Sequence, residues 1–175
     1  ECWEPPLVRK TLVPRLARRY AALGGDLGFG YCTRLLSQAP TAGDVERVIE
    51  SMEQQLEGLR QDRWPAELKD QISRLWQASD HALPLVLFSL RMGNPDALAE
   101  SLRRMSHSDV PLADRQTLIR AVAHLGKREA LDSLIALLQN PEPDSIRSAA
   151  LSALASFSGE LPGQLPARRH FGQLL

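Results

Sequence analysis

The chain has 175 residues, of which 43% are hydrophobic and 5% aromatic, and its 21 basic and 21 acidic side chains give a net charge of zero. The hydrophobic share is too high for a globally disordered chain, so a packed core is expected. Zero net charge argues against a nucleic-acid binder, which normally carries a positive surface that displaces counterions from phosphates. No apolar run reaches the length of about 18 residues that predicts a transmembrane helix, so we expect no membrane insertion.

Charge is unevenly divided in the first half of the chain. Residues 1–40 carry six basic and three acidic side chains, a net charge of +3, whereas residues 41–80 carry five basic and nine acidic side chains, a net charge of −4. This dipole could steer a partner or a neighbouring domain, although ordinary solvated helix faces are the simpler explanation.

The cysteines and the first residue bear on where the protein works. Cys2 and Cys32 are 30 residues apart, a spacing that fits neither a zinc site nor a C-x-x-C redox motif. Cys32 falls among apolar residues of a predicted helix, which favours a buried, unreactive thiol; a Cys2–Cys32 disulfide stays an alternative if the protein is exported. Because the sequence begins at Glu1 without a methionine or a signal peptide, we expect an excised domain or a mature fragment of a longer protein.

The first predicted helix follows a proline-marked lead-in with an exposed-looking Trp3, and it runs to Leu23. Pro14 either starts its regular part or kinks it. The face expected to be buried is Leu12, Leu16, Tyr20 and Leu23.

The glycine pair 24–25 closes the first helix, and Asp26 is expected to cap a second helix that runs to about Gln38. Gly28 and Gly30 in this helix match neither G-x-G-x-x-G nor the Walker pattern of a phosphate-binding loop. Close helix packing, or a frayed first turn, is the simpler explanation.

The third predicted helix begins with a capping box formed by Thr41 and Asp44. A coiled-coil partner helix is an alternative, but two heptads are short for one, so packing within the fold is preferred. Its apolar stripe is Val45, Val48, Ile49, Met52, Leu56 and Leu59, and its opposite side carries Glu46, Glu50, Glu53 and Glu57.

Trp64 and Pro65 open a fourth predicted helix. Trp64 and Trp76 are expected to fill gaps between helices, and an aromatic platform for a ligand is the alternative. The buried face is expected to be Leu68, Ile72, Leu75 and Trp76.

The segment from Asp80 to Gly93 is apolar almost all round, which predicts a central core helix. Asn94 and Pro95 then supply an N-cap and a first-turn proline for a sixth helix. Its expected stripe is Leu98, Leu102 and Met105.

A helical hairpin and a further helix are predicted from Pro111 onward. Gln116–Leu125 is the seventh helix, and Gly126 ends it because glycine adopts the left-handed cap conformation without steric cost. The eighth helix stops at the prolines of residues 140–143. The stripes of the three helices are Leu118, Ile119, Val122 and Leu125; Leu131, Leu134, Ile135, Leu137 and Leu138; and Ile146, Ala149, Ala150, Ala153, Leu154 and Phe157.

These helices repeat at a period in the thirties. Arg115 and Arg147 are 32 residues apart, and they are expected to tie neighbouring repeats together through carbonyls or acids. Gly24, Gly93 and Gly126 each close the first helix of a pair. Two helices per unit at this period predict an α-solenoid.

The run LIRAVAHLGKREALDSLIALLQNPEPDSIRSAALSALASF resembles a HEAT repeat. The resemblance implies an all-α fold, a right-handed superhelix of about nine or ten helices whose concave face holds proteins, peptides or other domains, and it carries over no catalytic residues. We expect one domain over residues 1–175, with divergent repeats in 1–79, clearer HEAT-type repeats in 80–157 and a terminal helix or ragged end in 158–175.

A narrower resemblance covers the order ALGGDLGFGYCTRLLSQAP, VERVIESMEQQLEGLRQDRWPAELKDQISRLW and the HEAT unit. It is similar to the helical-repeat segment of large planctomycete-type membrane-bound dehydrogenase and cytochrome c proteins. That likeness implies an exported, periplasmic spacer between redox domains. The heme signature C-x-x-C-H is absent, so the electron chemistry would lie outside this chain.

The histidines, His81, His107, His124 and His170, form no metal-ligand or catalytic cluster in the sequence. His124 is expected to be a packing residue, and His107 could meet Asp109 and Asp114 across a turn. We therefore predict no catalytic residue, no cofactor and no metal site. The predicted function is a scaffold that binds a protein partner or neighbouring domains of the same chain.

The alternative is a nucleic-acid-binding solenoid similar to the DNA glycosylases among HEAT-like proteins. It would use the tryptophans together with Arg18, Arg19, Arg103 and Arg104. Such a function requires these side chains to meet on one basic, aromatic-lined face.

Overall fold

The computed structural model describes residue 3, residues 5–61 and residues 63–158. All of the secondary structure in these ranges is helical. A π-helical segment, Val8–Leu12, leads into the first α-helix, and a short 3-10 segment, Arg128–Ala130, precedes the eighth. The α-helices are α1 (Val13–Leu23), α2 (Gly25–Gln38), α3 (Ala42–Leu56), α4 (Ala66–Ala78), α5 (Leu83–Arg91), α6 (Pro95–Ser106), α7 (Leu112–His124), α8 (Leu131–Gln139) and α9 (Asp144–Ser158).

The helices form two layers. Each odd-numbered helix packs against the next odd-numbered one, from α1 through α9. In the other layer α2 packs against α4, and α6 against α8, while the loops carry the chain back and forth between the layers. A stack in which each hairpin contacts mainly its neighbours is an α-solenoid. The prediction of an all-α solenoid is confirmed.

Glycines at a regular interval set the frame of the repeat. Four of the odd-numbered helices are each followed by a glycine with positive φ, namely Gly24, Gly58, Gly93 and Gly126. Successive glycines in this series are 34, 35 and 33 residues apart. The sequence interpretation missed the second of them.

Gly93 and Gly126 close their helices in the same way. Each donates its N–H to the carbonyl three residues earlier at 3.0 Å, and the next residue donates to the carbonyl five residues before it. This is the Schellman motif, whose left-handed residue is normally glycine. Their φ values, +83° and +64°, explain why glycine stands there.

The buried face of α1 differs from the prediction. Leu12 and Leu23 are 48% and 59% exposed, so the prediction is wrong for these two leucines, whereas Tyr20 packs against the core as predicted. Small residues, which let α1 approach α2 and α3 closely, take the buried positions instead. The buried face is Val13, Pro14, Ala17 and Ala21.

Two further predictions near the N-terminus are settled by the structure. Pro14 stands in the first turn of α1, directly after the π-helical segment, as expected of a proline that starts the regular part. Trp3 is 8% exposed and belongs to the core, so the prediction that it is exposed is wrong.

At the start of α2, Gly24 takes the N-cap position and Asp26 lies in the first turn, so the prediction that Asp26 caps the helix is wrong. Gly28 marks the close approach of α1 and α2, because a Cβ atom there would lie 2.4 Å from the carbonyl oxygen of Tyr20. Close packing at Gly28 is therefore confirmed. A Cβ atom at Gly30 would meet nothing within 4 Å.

Asp44 anchors the start of α3 to the N-terminal segment. Thr41 caps the helix, since its hydroxyl oxygen accepts from the Asp44 N–H at 3.3 Å, as predicted. The buried Asp44 carboxylate accepts from the Arg9 guanidinium, from the Thr41 hydroxyl at 2.7 Å and from Arg47 at 2.8 Å. The hydrogen bond from Arg9, supported by those from Thr41 and Arg47, lowers the pKa of Asp44 to about 2.

The centre of the stack is α5, in which every residue from Leu85 to Arg91 is buried. This confirms the predicted core helix. Trp64 is 7% exposed and lies between Phe29 and Phe88, with ring centroids 4.9 Å and 5.4 Å away. It fills the gap between α2 and α5.

Trp76, 8% exposed, stacks on the His81 ring with centroids 4.0 Å apart. Both tryptophans predicted to fill gaps therefore do so, and neither offers a ring face as an open platform.

Smaller differences concern helix ends and stripes. Leu59 lies beyond the end of α3 and is 51% exposed. Asn94 caps α6 by accepting from the Asp96 N–H at 2.9 Å, as predicted. The buried positions of α6 are Ala97, Ser101 and Met105. The prediction placed Leu98 and Leu102 there, each one residue too late in the sequence, and was right for Met105. In α8, Ile135 is 43% exposed although it was placed on the buried stripe.

Candidate partner-binding groove

An open trough of about 450 Å³ runs over α5, between α3 and α7. We call it the first trough. Its lining residues come from these three odd-numbered helices and from the turn that follows α3. It therefore lies on the surface of the odd-numbered layer that faces away from the even-numbered helices.

The floor of the first trough is apolar. Leu83, Pro84 and Leu87 of α5 form its middle, and Ala121 and Leu125 of α7 continue it to one side. The rest of α5 is buried in the core, so its exposed atoms are concentrated in this floor. An apolar concave surface with charged edges is typical of binding grooves.

The α3 side of the trough is acidic. Glu50, Glu53 and Glu57 follow one another at three- and four-residue spacing and line the same side. Glu50 and Glu57 are exposed to solvent, whereas the Glu53 side chain is 14% exposed. Glu50 accepts from the Gln54 side-chain amide at 3.4 Å, and neither Glu50 nor Glu57 is held by an arginine or lysine in the part of the chain that the structure describes.

Glu53 holds Arg91 at the bottom of this wall. The Arg91 guanidinium donates to both Glu53 carboxylate oxygens, from Nε at 2.9 Å and from Nη2 at 2.6 Å. Its Nη1 also donates to the Leu59 carbonyl at 2.7 Å, and the Arg91 side chain is 5% exposed. This bidentate ion pair fixes α5 against the C-terminal end of α3.

The α7 side of the trough carries Arg120 and His124, which are both exposed. Arg120 Nη2 donates to the Thr117 hydroxyl oxygen at 3.2 Å, and no carboxylate in the described part of the chain pairs with this guanidinium. His124 lies in the last turn of α7. The prediction that His124 is a packing residue is wrong, because its side chain is exposed to solvent.

A second trough of about 480 Å³ lies between α7 and α9. Arg120 and His124 line it as well, so they form a ridge between the two troughs. The α9 side presents hydroxyl groups at helical spacing from Ser145, Ser148, Ser152 and Ser156. We call the surface of α3, α5, α7 and α9 that contains both troughs the grooved face.

The arginines of the nucleic-acid hypothesis are held apart. Arg18 of α1 donates to the Gln54 side chain of α3 at 3.2 Å. Arg103 and Arg104 of α6 bind the same carboxylate, that of Glu100, at 2.8 Å and 2.6 Å.

The hydrogen bond from Arg103, supported by Arg104, lowers the pKa of Glu100 to about 2. Arg104 also donates to the His81 carbonyl at 2.8 Å. Because Trp3, Trp64 and Trp76 are buried, the structure does not bring these arginines and the tryptophans together on one surface.

Arg115 is a structural tie, as predicted. It is 1% exposed, its Nε donates to the Met105 carbonyl at 2.8 Å, and its Nη2 lies 2.7 Å from the Glu142 carboxylate. The second contact is an ion pair rather than an aligned hydrogen bond. Arg115 thus joins the end of α6 to the turn before α9. Arg147, its counterpart in the repeat, is exposed.

The remaining candidates form no reactive cluster. His107 Nδ1 lies 3.6 Å from Asp109 Oδ1, and both side chains are exposed. This contact does not include Asp114, which was the third residue expected there. Burial raises the pKa of the free Cys32 thiol to about 12. Cys2 and His170 lie outside the described residues. Within the described ranges no three His, Cys, Asp or Glu side chains come together as a metal site.

Comparison with known families identifies the second half of the stack. The family model of HEAT repeats matches residues 81–155, which covers α5 to α8 and most of α9. No curated protein and no solved structure matches the chain. The chain therefore contains a HEAT-like helical repeat, and HEAT repeats generally serve as protein-interaction scaffolds.

A membrane-spanning helix is not found among the described residues, since none of their helices combines enough length with enough apolar character. The narrower likeness to multidomain redox proteins stays a prediction.

Proposed function

We propose that this chain is a noncatalytic scaffold whose grooved face holds a protein partner or a neighbouring domain of the same longer protein. The observation that carries this proposal is the first trough, which has an apolar floor between an acidic wall and a wall bearing Arg120. An apolar cleft with a few polar groups at its edges is the usual form of a binding site.

The packing of the layers supports the same surface. The odd-numbered pairs α1–α3 and α7–α9 approach each other more extensively than any pair of even-numbered helices. In a stack of helix pairs, the more tightly packed layer lies on the inner side of the curve. Solenoids use this inner surface for extended binding contacts.

Two of the polar groups around the trough already have partners within the fold. The hydroxyl of Thr117 donates to the Ala113 carbonyl of its own helix at 2.9 Å. Glu53 is engaged by the Arg91 guanidinium.

The nucleic-acid alternative draws less support from the geometry. Arg18 binds Gln54, Arg103 and Arg104 bind Glu100, and the tryptophans are buried. Arg19 is exposed on α1. Retention of single- or double-stranded DNA on a filter at low salt would revive this alternative, since a phosphate-binding surface is strongest there.

The proposed function can be tested by selecting ligands from a displayed library of helical peptides with the wild-type protein as bait. Ala121→Arg places a long charged side chain on the floor of the first trough. Ala99→Arg makes the same change at an exposed position on α6, in the other layer.

We expect the selected peptides to bind the wild-type protein and the Ala99→Arg variant alike and to lose affinity for Ala121→Arg. If the peptides bind Ala121→Arg as tightly as the wild type, the first trough is not the binding site.

A further inference from the structure

We propose that the partner segment is an amphipathic α-helix that carries basic residues along one flank and acidic residues along the other. It lies in the first trough along α5. This inference rests on the proposed function and adds the secondary structure, the charge pattern and the direction of the bound segment.

The floor of the trough favours a helix over an extended peptide. The backbone groups of α5 and α7 are used within their own helices, so the floor offers side chains and no free edge for a strand to join. An extended segment would place its own N–H and C=O groups over an apolar surface without partners, which is costly. A helix satisfies these groups internally.

The spacing of the floor residues also suits a helix. Leu83 and Leu87 are four residues apart on α5, and Leu125, directly after the end of α7, is four residues from Ala121. Rows at this spacing are the ridges between which the side chains of another helix pack. Apolar residues of the partner at positions i, i+4 and i+7 would occupy the space between them.

The walls specify the charges on the two flanks of the partner. On the α3 side, Glu50 and Glu57 are exposed and seven residues apart, which is about 10 Å along a helix. In the described chain neither of them forms an ion pair. Lys or Arg residues two turns apart on one flank of the partner match them. On the α7 side, no carboxylate among the described residues pairs with Arg120, so Asp or Glu on the opposite flank complements it.

This charge pattern also fixes the direction of the helix. Turning a bound helix end for end, with its apolar side still on the floor, exchanges its left and right flanks. One direction therefore places its basic flank beside Glu50 and Glu57, and the other direction places that flank beside Arg120. A floor without charged walls would accept both directions.

Three designed peptides with identical apolar positions test the inference. The first has lysines on one flank and glutamates on the other, the second has lysines on both flanks, and the third has glutamates on both. Each is measured by fluorescence anisotropy against the wild type, against Glu50→Lys with Glu57→Lys, and against Arg120→Glu with His124→Glu. These positions are exposed, and circular dichroism checks that the variants fold.

We expect the wild type to prefer the mixed-flank peptide by about five- to twentyfold, because two or three exposed ion pairs each add a modest gain in affinity. The glutamate-to-lysine variant should prefer the all-glutamate peptide, and the Arg120 variant should prefer the all-lysine peptide. These preferences should shrink at about 1 M salt. The same ranking of peptides by all three proteins would overturn the inference.

The floor variant separates this inference from the proposed function. If all three peptides bind equally and Ala121→Arg abolishes binding, the charge pattern is refuted and the trough remains a binding site. If no peptide binds, or if Ala121→Arg has no effect on any of them, both proposals fail.

Direction is a second readout that a nonspecific charge effect would not produce. A photo-crosslinker at the N-terminus of the mixed-flank peptide should mark one end of the trough, near either Thr117 or Leu125. The peptide with its lysine and glutamate flanks exchanged should mark the opposite end. Marking of the same end by both peptides would contradict the inference.

Discussion

Replacing Gly28 by alanine tests the packing of the first repeat. A Cβ atom at this position would lie 2.4 Å from the carbonyl oxygen of Tyr20 and 3.1 Å from the Cβ of Leu23. The closest atom belongs to the backbone, so it cannot rotate away, and α1 and α2 must separate. Overpacking of this kind costs about 1–3 kcal/mol, and alanine recovers about 1 kcal/mol of helix propensity. We take the upper end of that range and expect a net loss of roughly 2 kcal/mol.

Gly30→Ala is the matched control, because it lies on the same helix and its Cβ atom would meet nothing within 4 Å. It should stabilise the protein by up to about 1 kcal/mol. For a chain of this length, thermal unfolding followed by circular dichroism should show Gly28→Ala lowering Tm by roughly 4–8 °C and Gly30→Ala raising it by roughly 2–4 °C. Equal effects of the two substitutions would refute the close approach of α1 and α2.

Three further predictions concern buried polar groups. Arg91→Ala should lower the free energy of unfolding in urea by about 3 kcal/mol, because it leaves the mostly buried Glu53 carboxylate without its guanidinium partner; a loss under about 0.5 kcal/mol, typical of exposed positions, would contradict this. The pKa of Asp44 is about 2 in the folded chain, below its ordinary value of 3.8, so its stabilising effect is present above pH 4 and is lost as the pH falls toward 2. Asp44→Asn should therefore flatten the stability curve over this window, and an unchanged curve would count against the ion-pair cluster. In a Cys2→Ser variant, the buried Cys32 thiol, with its pKa raised to about 12, should resist iodoacetamide at pH 8 until denaturant is added, and rapid labelling of the native protein would contradict its burial.

Local signals in the sequence were sufficient for much of the fold. The cap at Asn94, the core character of α5 and the glycine that ends α7 each depend on residues close in sequence, and the structure confirms all three. The 32-residue spacing of Arg115 and Arg147 predicts that they tie neighbouring repeats together, and the structure confirms this for Arg115.

The prediction failed where the neighbouring helix decides burial. On α1 the leucines look like the buried face, but close contact with α2 and α3 selects Ala17 and Ala21 instead. In the same way, Ala97 rather than the larger Leu98 takes the buried position on α6. Hydrophobicity alone favours the larger side chain, whereas the spacing between helices favours the smaller one.

The grooved face could not be read from the sequence because its walls are far apart in the chain. Glu50 and Arg120 face each other across α5 although 70 residues separate them. Each is a charged position on a predicted helix, and the glutamates of α3 form a regular series in the sequence. Their relation follows from the two-layer stacking, which brings α3 and α7 to either side of one short helix.

The most direct test of the account is the crystal structure of this protein with a peptide selected against it. We predict that the peptide lies along α5 between α3 and α7, with its apolar side chains against Leu83, Leu87 and Leu125. A peptide bound instead on the even-numbered layer, at α4 or α6, would contradict the assignment of the grooved face as the binding surface.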